Sequence, residues 1–137
     1  MHVLNIHSHE VFQALSDPLR VRMMRIFVSS GEEACLCELA DSLLEPEYKL
    51  SRHLKTVRQA GLLSASKDGR WVYHRLVTGV PFLAQVYKAI GEIDDADGEL
   101  AKDLSRFRKR MQLRENDSGR CRTDSTLKVA SKRRKKG

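Results

Sequence analysis

A chain of 137 residues and 15.6 kDa suits one compact domain plus a tail, since domains typically run about 100–150 residues, which leaves no room for a multidomain enzyme. Hydrophobic residues (41%) suffice for a core, yet no apolar run nears the roughly 18 residues of a bilayer span, and the histidine-bearing N-terminus resembles no export signal, so a reducing, cytoplasmic setting without membrane association is expected. The net charge of +7 concentrates in residues 117–137 (eight Lys and Arg against two Asp) and 45–76 (seven against three), the footprint of a phosphate-backbone binder or of a solvated helix face.

Ser8 is placed to cap a short helix with Val11, Phe12 and Leu15 on one side. Asp17-Pro18 restarts the chain as N-cap and first helical residue, and Leu19, Met23, Ile26 and Phe27 recur at helical spacing until Ser29-Ser30-Gly31. A third helix over 36–44 carries the stripe Leu36, Leu39, Ala40, Leu43 and Leu44. Glu45-Pro46-Glu47 breaks it, and a fourth helix runs to about Ala60, with Gly61 as its stop. Asp68-Gly69, between segments 63–67 and 70–76, predicts a two-residue hairpin. Pro81 opens a helix with Leu83, Val86, Tyr87 and Ile90, and another from Glu99 aligns Leu100, Leu104 and Phe107. From Asn116 the composition turns to Ser, Thr, Lys and Arg, so a domain over 1–115 and a flexible basic tail over 116–137 are expected.

Helix, turn, helix, glycine and charged hairpin together predict a mainly α fold with a β-hairpin wing, a dimeric winged helix-turn-helix. On the fourth helix Leu50, Leu54 and Val57 face inward, while Tyr48, Lys49, Ser51, Arg52 and Lys55 are candidate DNA contacts. Arg52 suits a guanine, Tyr48 and Ser51 a base or phosphate, and Lys49 and Lys55 phosphates. His53 borders the apolar stripe and reads equally as a helix-positioning residue or a phosphate contact. Lys67 and Arg70 flank the wing tip and can reach the neighbouring minor groove or backbone. Trp71, Val72 and Tyr73 are expected to pack the ribbon on the helices, and His74 to pack or lie on the surface. One recognition helix reads half a palindrome, so a homodimer is expected. Phe12, Leu15, Leu83, Val86, Tyr87 and Ile90 are its interface candidates, with closure of the monomer core as the alternative.

Cys35-Leu36-Cys37 stands where the third helix begins. Two thiols one residue apart in a reducing compartment read as soft-metal ligands, the alternative being buried filler. In a regular helix residues i and i+2 point about 200° apart, so one ion holds both sulfurs only if the helix start is extended, frayed or distorted. Binding is therefore expected to deform the third helix.

Residues 12–76 resemble the ArsR/SmtB family of metal-responsive transcriptional repressors, specifically its arsenic sensors. The resemblance rests on Ala14-Leu15-Ser16-Asp17-Pro18-Leu19-Arg20, on Ala34-Cys35-Leu36-Cys37-Glu38-Leu39, on Leu50-Ser51-Arg52-His53-Leu54 through Ala60-Gly61-Leu62-Leu63, and on the wing from Asp68-Gly69-Arg70 to Arg75-Leu76. It implies a homodimeric, non-enzymatic repressor that binds double-stranded DNA at an imperfect palindrome and leaves when arsenite or antimonite, the inducer, meets the cysteines. The family pattern supplies a third thiol where this chain has Ala40, and Cys121 is its one remaining cysteine, so Cys35, Cys37 and Cys121 form the expected ligand set. A rival reading keeps the repressor but lets His2, His7 and His9 join Cys35 and Cys37 to hold Zn, Cd or Pb. A thiol redox enzyme is disfavoured, because redox pairs usually follow Cys-x-x-Cys in a strand-helix context. A non-sensing architectural factor bound through the basic tail is the remaining class.

Overall fold

The computed structural model describes residues 6–116; His2, Cys121 and all but the first residue of the expected tail lie outside them. The elements are α1 (Ser8–Ala14), α2 (Pro18–Ser30), α3 (Leu36–Leu43), α4 (Glu47–Gln59), β1 (Leu63–Asp68), β2 (Trp71–Leu76), α5 (Pro81–Gly91) and α6 (Glu99–Asn116). This is a winged helix-turn-helix, mainly helical with one antiparallel hairpin. No helix among the described residues is long and apolar enough to cross a membrane.

Local chemistry sets the boundaries. Asp17 caps α2 by accepting the Leu19 and Arg20 N–H groups at 2.9 and 3.1 Å, with Pro18 as the first helical residue. Gly31, at φ +69, ends α2 in the left-handed conformation. α4 closes in a Schellman motif: the Leu62 N–H reaches the Val57 carbonyl at 3.0 Å and the Gly61 N–H the Arg58 carbonyl at 3.0 Å, with Gly61 at φ +92. His7, not Ser8, is the N-cap of α1; it is extended and makes no side-chain cap. Strand register runs from Leu63 opposite Leu76 to Asp68 opposite Trp71, so the two loop residues are Gly69 and Arg70, one later than expected. Gly69, at φ +64, then takes the first loop position, where a type II′ hairpin places glycine.

The core gathers Met23, Ile26 and Phe27 of α2, Leu39 and Leu43 of α3, the inward stripe Leu50, Leu54 and Val57 of α4, and Phe107 of α6. Leu83 and Ile90 are buried in this same core, so of the interface candidates these two close the monomer. Leu44 does not continue the α3 stripe: it is the left-handed C-cap at φ 56 and is exposed. Tyr73 packs inward with half-buried Trp71, but Val72 points outward. The Tyr87 hydroxyl lies 2.9 Å from both the Leu62 and Val77 carbonyl oxygens, tying α5 to both ends of the hairpin.

α6 is held to α2 and α3 by a polar face at spacings of three and four residues. Asp103, nearly fully buried, accepts two bonds from Arg22 at 2.9 Å and one from Arg106 at 2.8 Å. Arg106 donates to the Ser42 carbonyl at 2.7 Å, Arg110 to Asp41 at 3.1 Å, and Arg114 to Glu38. Charged helix faces usually meet water; this one is turned inward and carries the end of α6 to the start of α3.

Candidate functional site

The sequence places Cys35 just outside α3 and Cys37 within its first turn. Cys35 is the N-cap, extended at φ −94 and ψ 168, and forms a capping box with Glu38, whose Oε1 accepts the Cys35 N–H at 3.0 Å. The two Sγ atoms lie 3.0 Å apart. Thiolates each about 2.3 Å from one ion can be at most about 4.6 Å apart, so a single ion can take both. The extended N-cap is what brings the sulfurs of residues i and i+2 together.

Burial pushes the Cys37 thiol up to about 12, against the opposing pull of Arg110. The Arg110 guanidinium stands 3.8 Å from Cys37 Sγ. Glu38 is fully buried and paired in a fork with Arg114, which also donates to the Glu33 carbonyl at 3.2 Å and lies over the Tyr73 ring at 5.0 Å. The end of α6 and Tyr73 of β2 thus converge on the start of α3. Neither Arg110, Arg114 nor Glu38 stands out in the sequence, where each reads as an ordinary surface charge.

The two cysteines line a cavity of about 480 Å³ whose other walls are α4 (Glu47, Ser51, Leu54, Lys55, Arg58) and the wing (Arg70, Trp71, Val72, His74). Wing and sensor are also joined through backbone. The Ala34 N–H donates to the His74 carbonyl at 2.9 Å and the His74 N–H to the Ala34 carbonyl at 2.7 Å, a two-bond bridge beside Cys35. The His74 ring extends it: Nε2 is 3.3 Å from Arg58 and Nδ1 3.3 Å from the Ala34 oxygen. Since a guanidinium only donates, Nε2 accepts and Nδ1 carries the proton. Burial holds the His74 pKa below its ordinary value, which keeps this neutral arrangement. Placed by sequence as packing or surface, His74 is the buried junction of wing, α4 and the segment before α3.

Of the polar residues on α4, Tyr48, Lys49, Ser51, Arg52 and Lys55 are exposed, Tyr48 at 72%. Lys49 already pairs with Glu45 at 3.1 Å. His53 is half-buried, with Nδ1 3.1 Å from Arg20, whose Nε donates to the Ala14 carbonyl at 2.6 Å. Arg20 donates, so His53 Nδ1 accepts and Nε2 bears the hydrogen, the opposite tautomer to His74. Lys67 and Arg70 are exposed on the wing, and Arg70 stacks over Trp71 at 4.8 Å. Phe12, 61% exposed, meets Phe82 of α5 edge-on at 5.9 Å, while Leu15, Val86 and Tyr87 are half-buried. His7 and His9 stack at 5.9 Å on α1, and among the described residues no group of three His, Cys, Asp or Glu is arranged to hold a metal ion.

The family profile described as bacterial regulatory protein, arsR family, matches residues 17–65, from the α2 cap into β1. Over 71 residues the chain is 44% identical to the arsenic resistance transcriptional regulator ArsR1 of Pseudomonas putida, covering 52% of this chain and 55% of that protein. Over 72 residues it is 36% identical to the arsenical resistance operon repressor of Escherichia coli, covering 53% of this chain and 61% of that protein. Over 68 residues it is 32% identical to an uncharacterized HTH-type transcriptional regulator of Methanocaldococcus jannaschii, covering 50% of this chain and 75% of that protein. The chain thus spans little more than half the length of the two arsenic-resistance relatives and three quarters of the third. A winged helix-turn-helix with this match over its helical centre and its first wing strand belongs to the ArsR family of bacterial regulatory proteins.

Proposed function

We propose that the chain is a DNA-binding transcriptional repressor, working as a homodimer on a palindromic operator, which it leaves when arsenite or antimonite binds the thiols of Cys35 and Cys37. The observation that carries this reading is the shared cavity: the thiol pair forms one wall, and the reading helix and wing form the others. The similarity to arsenic-resistance regulators supports the choice of inducer.

In this reading α4 lies in the major groove, with Arg52 forked onto a guanine, Tyr48 and Ser51 on bases or phosphates, and Lys55, Lys67 and Arg70 on the backbone. Lys49 must exchange Glu45 for a phosphate. Arg20 fixes the His53 ring, whose Nε2–H is then a donor to a phosphate. The exposed Phe12 with Phe82, and half-buried Leu15, Val86 and Tyr87, supply the dimer contact. Replacing Arg52 with Ala is expected to weaken operator binding by about 1–3 kcal/mol and relax preference at one base pair per half-site, read by fluorescence anisotropy.

Coupling runs through contact rather than distance. Drawing the sulfurs onto an inducer moves Cys35 out of its capping box and pulls on Ala34, whose bridge to His74 shifts wing and α4 together. A coupling of about 1–3 kcal/mol gives a 5- to 150-fold change in operator affinity. The repressor-inducer experiment is a titration of an operator-bound dimer with arsenite. Loss of the complex supports the reading. Binding that is salt-sensitive but indifferent to sequence and inducer favours the architectural alternative.

Trivalent arsenic takes three sulfurs when they are offered. Ala40, at 2% exposure, faces the core and supplies none. Cys121 is our proposed third ligand: α6, whose Arg110 sits by Cys37 and whose Arg114 pairs with Glu38, ends at Asn116, and five residues of chain span up to about 17 Å. Replacing Cys121 with Ser is then expected to raise the arsenite concentration needed for operator release about tenfold or more. An unchanged midpoint removes Cys121 from the site.

A further inference from the structure

Glu47 is the one acid of α4, set in its first turn against the cations Lys49, Arg52, Lys55 and Arg58. Its side chain is exposed, and among the described residues it enters no ion pair. Its neighbour Glu45 is different: half-buried, it is neutralised by Lys49 at 3.1 Å and Arg22 at 4.0 Å. A surface built to approach phosphates therefore carries one negative charge that the fold itself does not balance.

The position of that charge says what balances it. Glu47, Ser51 and Lys55 recur at intervals of four and together line the α4 wall of the cleft that faces the wing, with Tyr48 and Arg52 in the adjacent row. The early residues of a recognition helix meet base edges, with a phosphate backbone on either side of the groove. A carboxylate there is repelled by both backbones, and the donor that offsets the repulsion is the exocyclic amine of a base. Cytosine N4–H2 offers that donor with only the C5 hydrogen on its outer side. Adenine N6–H2 lies between its own N7 and the thymine O4, two acceptors that repel a carboxylate. We infer that Glu47 reads a cytosine in each operator half-site by accepting from its N4 amine, and so sets specificity at one base pair while Arg52 reads a guanine. The inference rests on the proposed operator binding through α4 and not on the cysteines.

The test uses the full chain and a library of duplexes randomised over both half-sites. Bound duplexes are sequenced, and affinities for the selected operator and for an unrelated duplex are then read by fluorescence anisotropy. The parent is expected to select a cytosine position whose preference disappears in Glu47→Ala. In Glu47→Gln it should turn to adenine, because an amide accepts from N6 while donating to N7. Replacing the C·G pair at that position should weaken the parent about fivefold or more and leave Glu47→Ala unaffected. Binding of Glu47→Ala to unrelated DNA should tighten, since a repulsive charge has gone. Both variants should unfold as cooperatively as the parent, because the side chain is exposed. If both variants select the parent's sequence at every position, Glu47 serves only the dipole of α4, and the inference falls while operator reading by α4 stands. A change in affinity by the same factor on every duplex overturns it as well. If the parent selects no sequence at all, the proposed operator binding fails together with the inference.

Discussion

Replacing Arg114 with Ala is expected to destabilise the domain by about 3–5 kcal/mol, because it leaves the Glu38 carboxylate fully buried without its cation. For a domain of this size that is a fall of more than about 10 °C in melting temperature, measurable by calorimetry or circular dichroism. The cost comes from orphaning a buried charge rather than from losing a strong bond. Replacing both partners with Leu removes the desolvation problem, so the double variant should recover most of the loss, short of the roughly 1 kcal/mol from the capping contact between Glu38 and the Cys35 N–H. A single variant as stable as the parent would mean that the α6 clamp does not hold the start of α3.

The second large effect is in pH, and it separates arsenite from a divalent cation. With its pKa raised to about 12 by burial, Cys37 is a neutral thiol at every pH from 6 to 8. Arsenous acid is also neutral there, and exchanging its hydroxyls for thiols releases water, not protons. Its affinity should therefore stay nearly flat across that range. A divalent cation must expel the Cys37 proton into solution, so its affinity should rise about tenfold per pH unit for that proton alone, or about 100-fold from pH 6 to 8. Direct titration with arsenite and cadmium at pH 6, 7 and 8 reads the contrast. An arsenite affinity that climbs as steeply as that of cadmium would contradict the neutral-thiol site.

The winged helix-turn-helix was legible because its signals are local. Asp17-Pro18, Gly61 and the periodic stripe Leu50, Leu54 and Val57 each demand one conformation whatever surrounds them. The hairpin was legible to within one residue; the slip arose because Asp68-Gly69 and Gly69-Arg70 both offer glycine a positive φ, and only the cross-strand register decides between them. Cys35 and Cys37 were visible as a pair, but their approach was not, since it depends on Cys35 being an extended N-cap and not a helical residue. Long-range polar contacts were invisible. Arg106, Arg110 and Arg114 recur at helical spacing, yet a periodic run of arginines gives no sign that it faces Ser42, Asp41 and Glu38 instead of water. His74 was hidden in the same way: its role depends on Ala34 and Arg58, 40 and 16 residues away in the chain. Leu83 and Ile90 read as interface because an amphipathic stripe does not say whether its partner is the same chain or another.

The most direct test of thiol-to-operator coupling is operator release by arsenite from the protein with Cys35 and Cys37 both changed to Ser. Serine keeps the size of the side chains and leaves α4 and the wing untouched, so the variant should bind the operator as the parent does and remain bound at arsenite concentrations that empty it from the parent. Normal dissociation of the serine variant on arsenite addition would contradict the account.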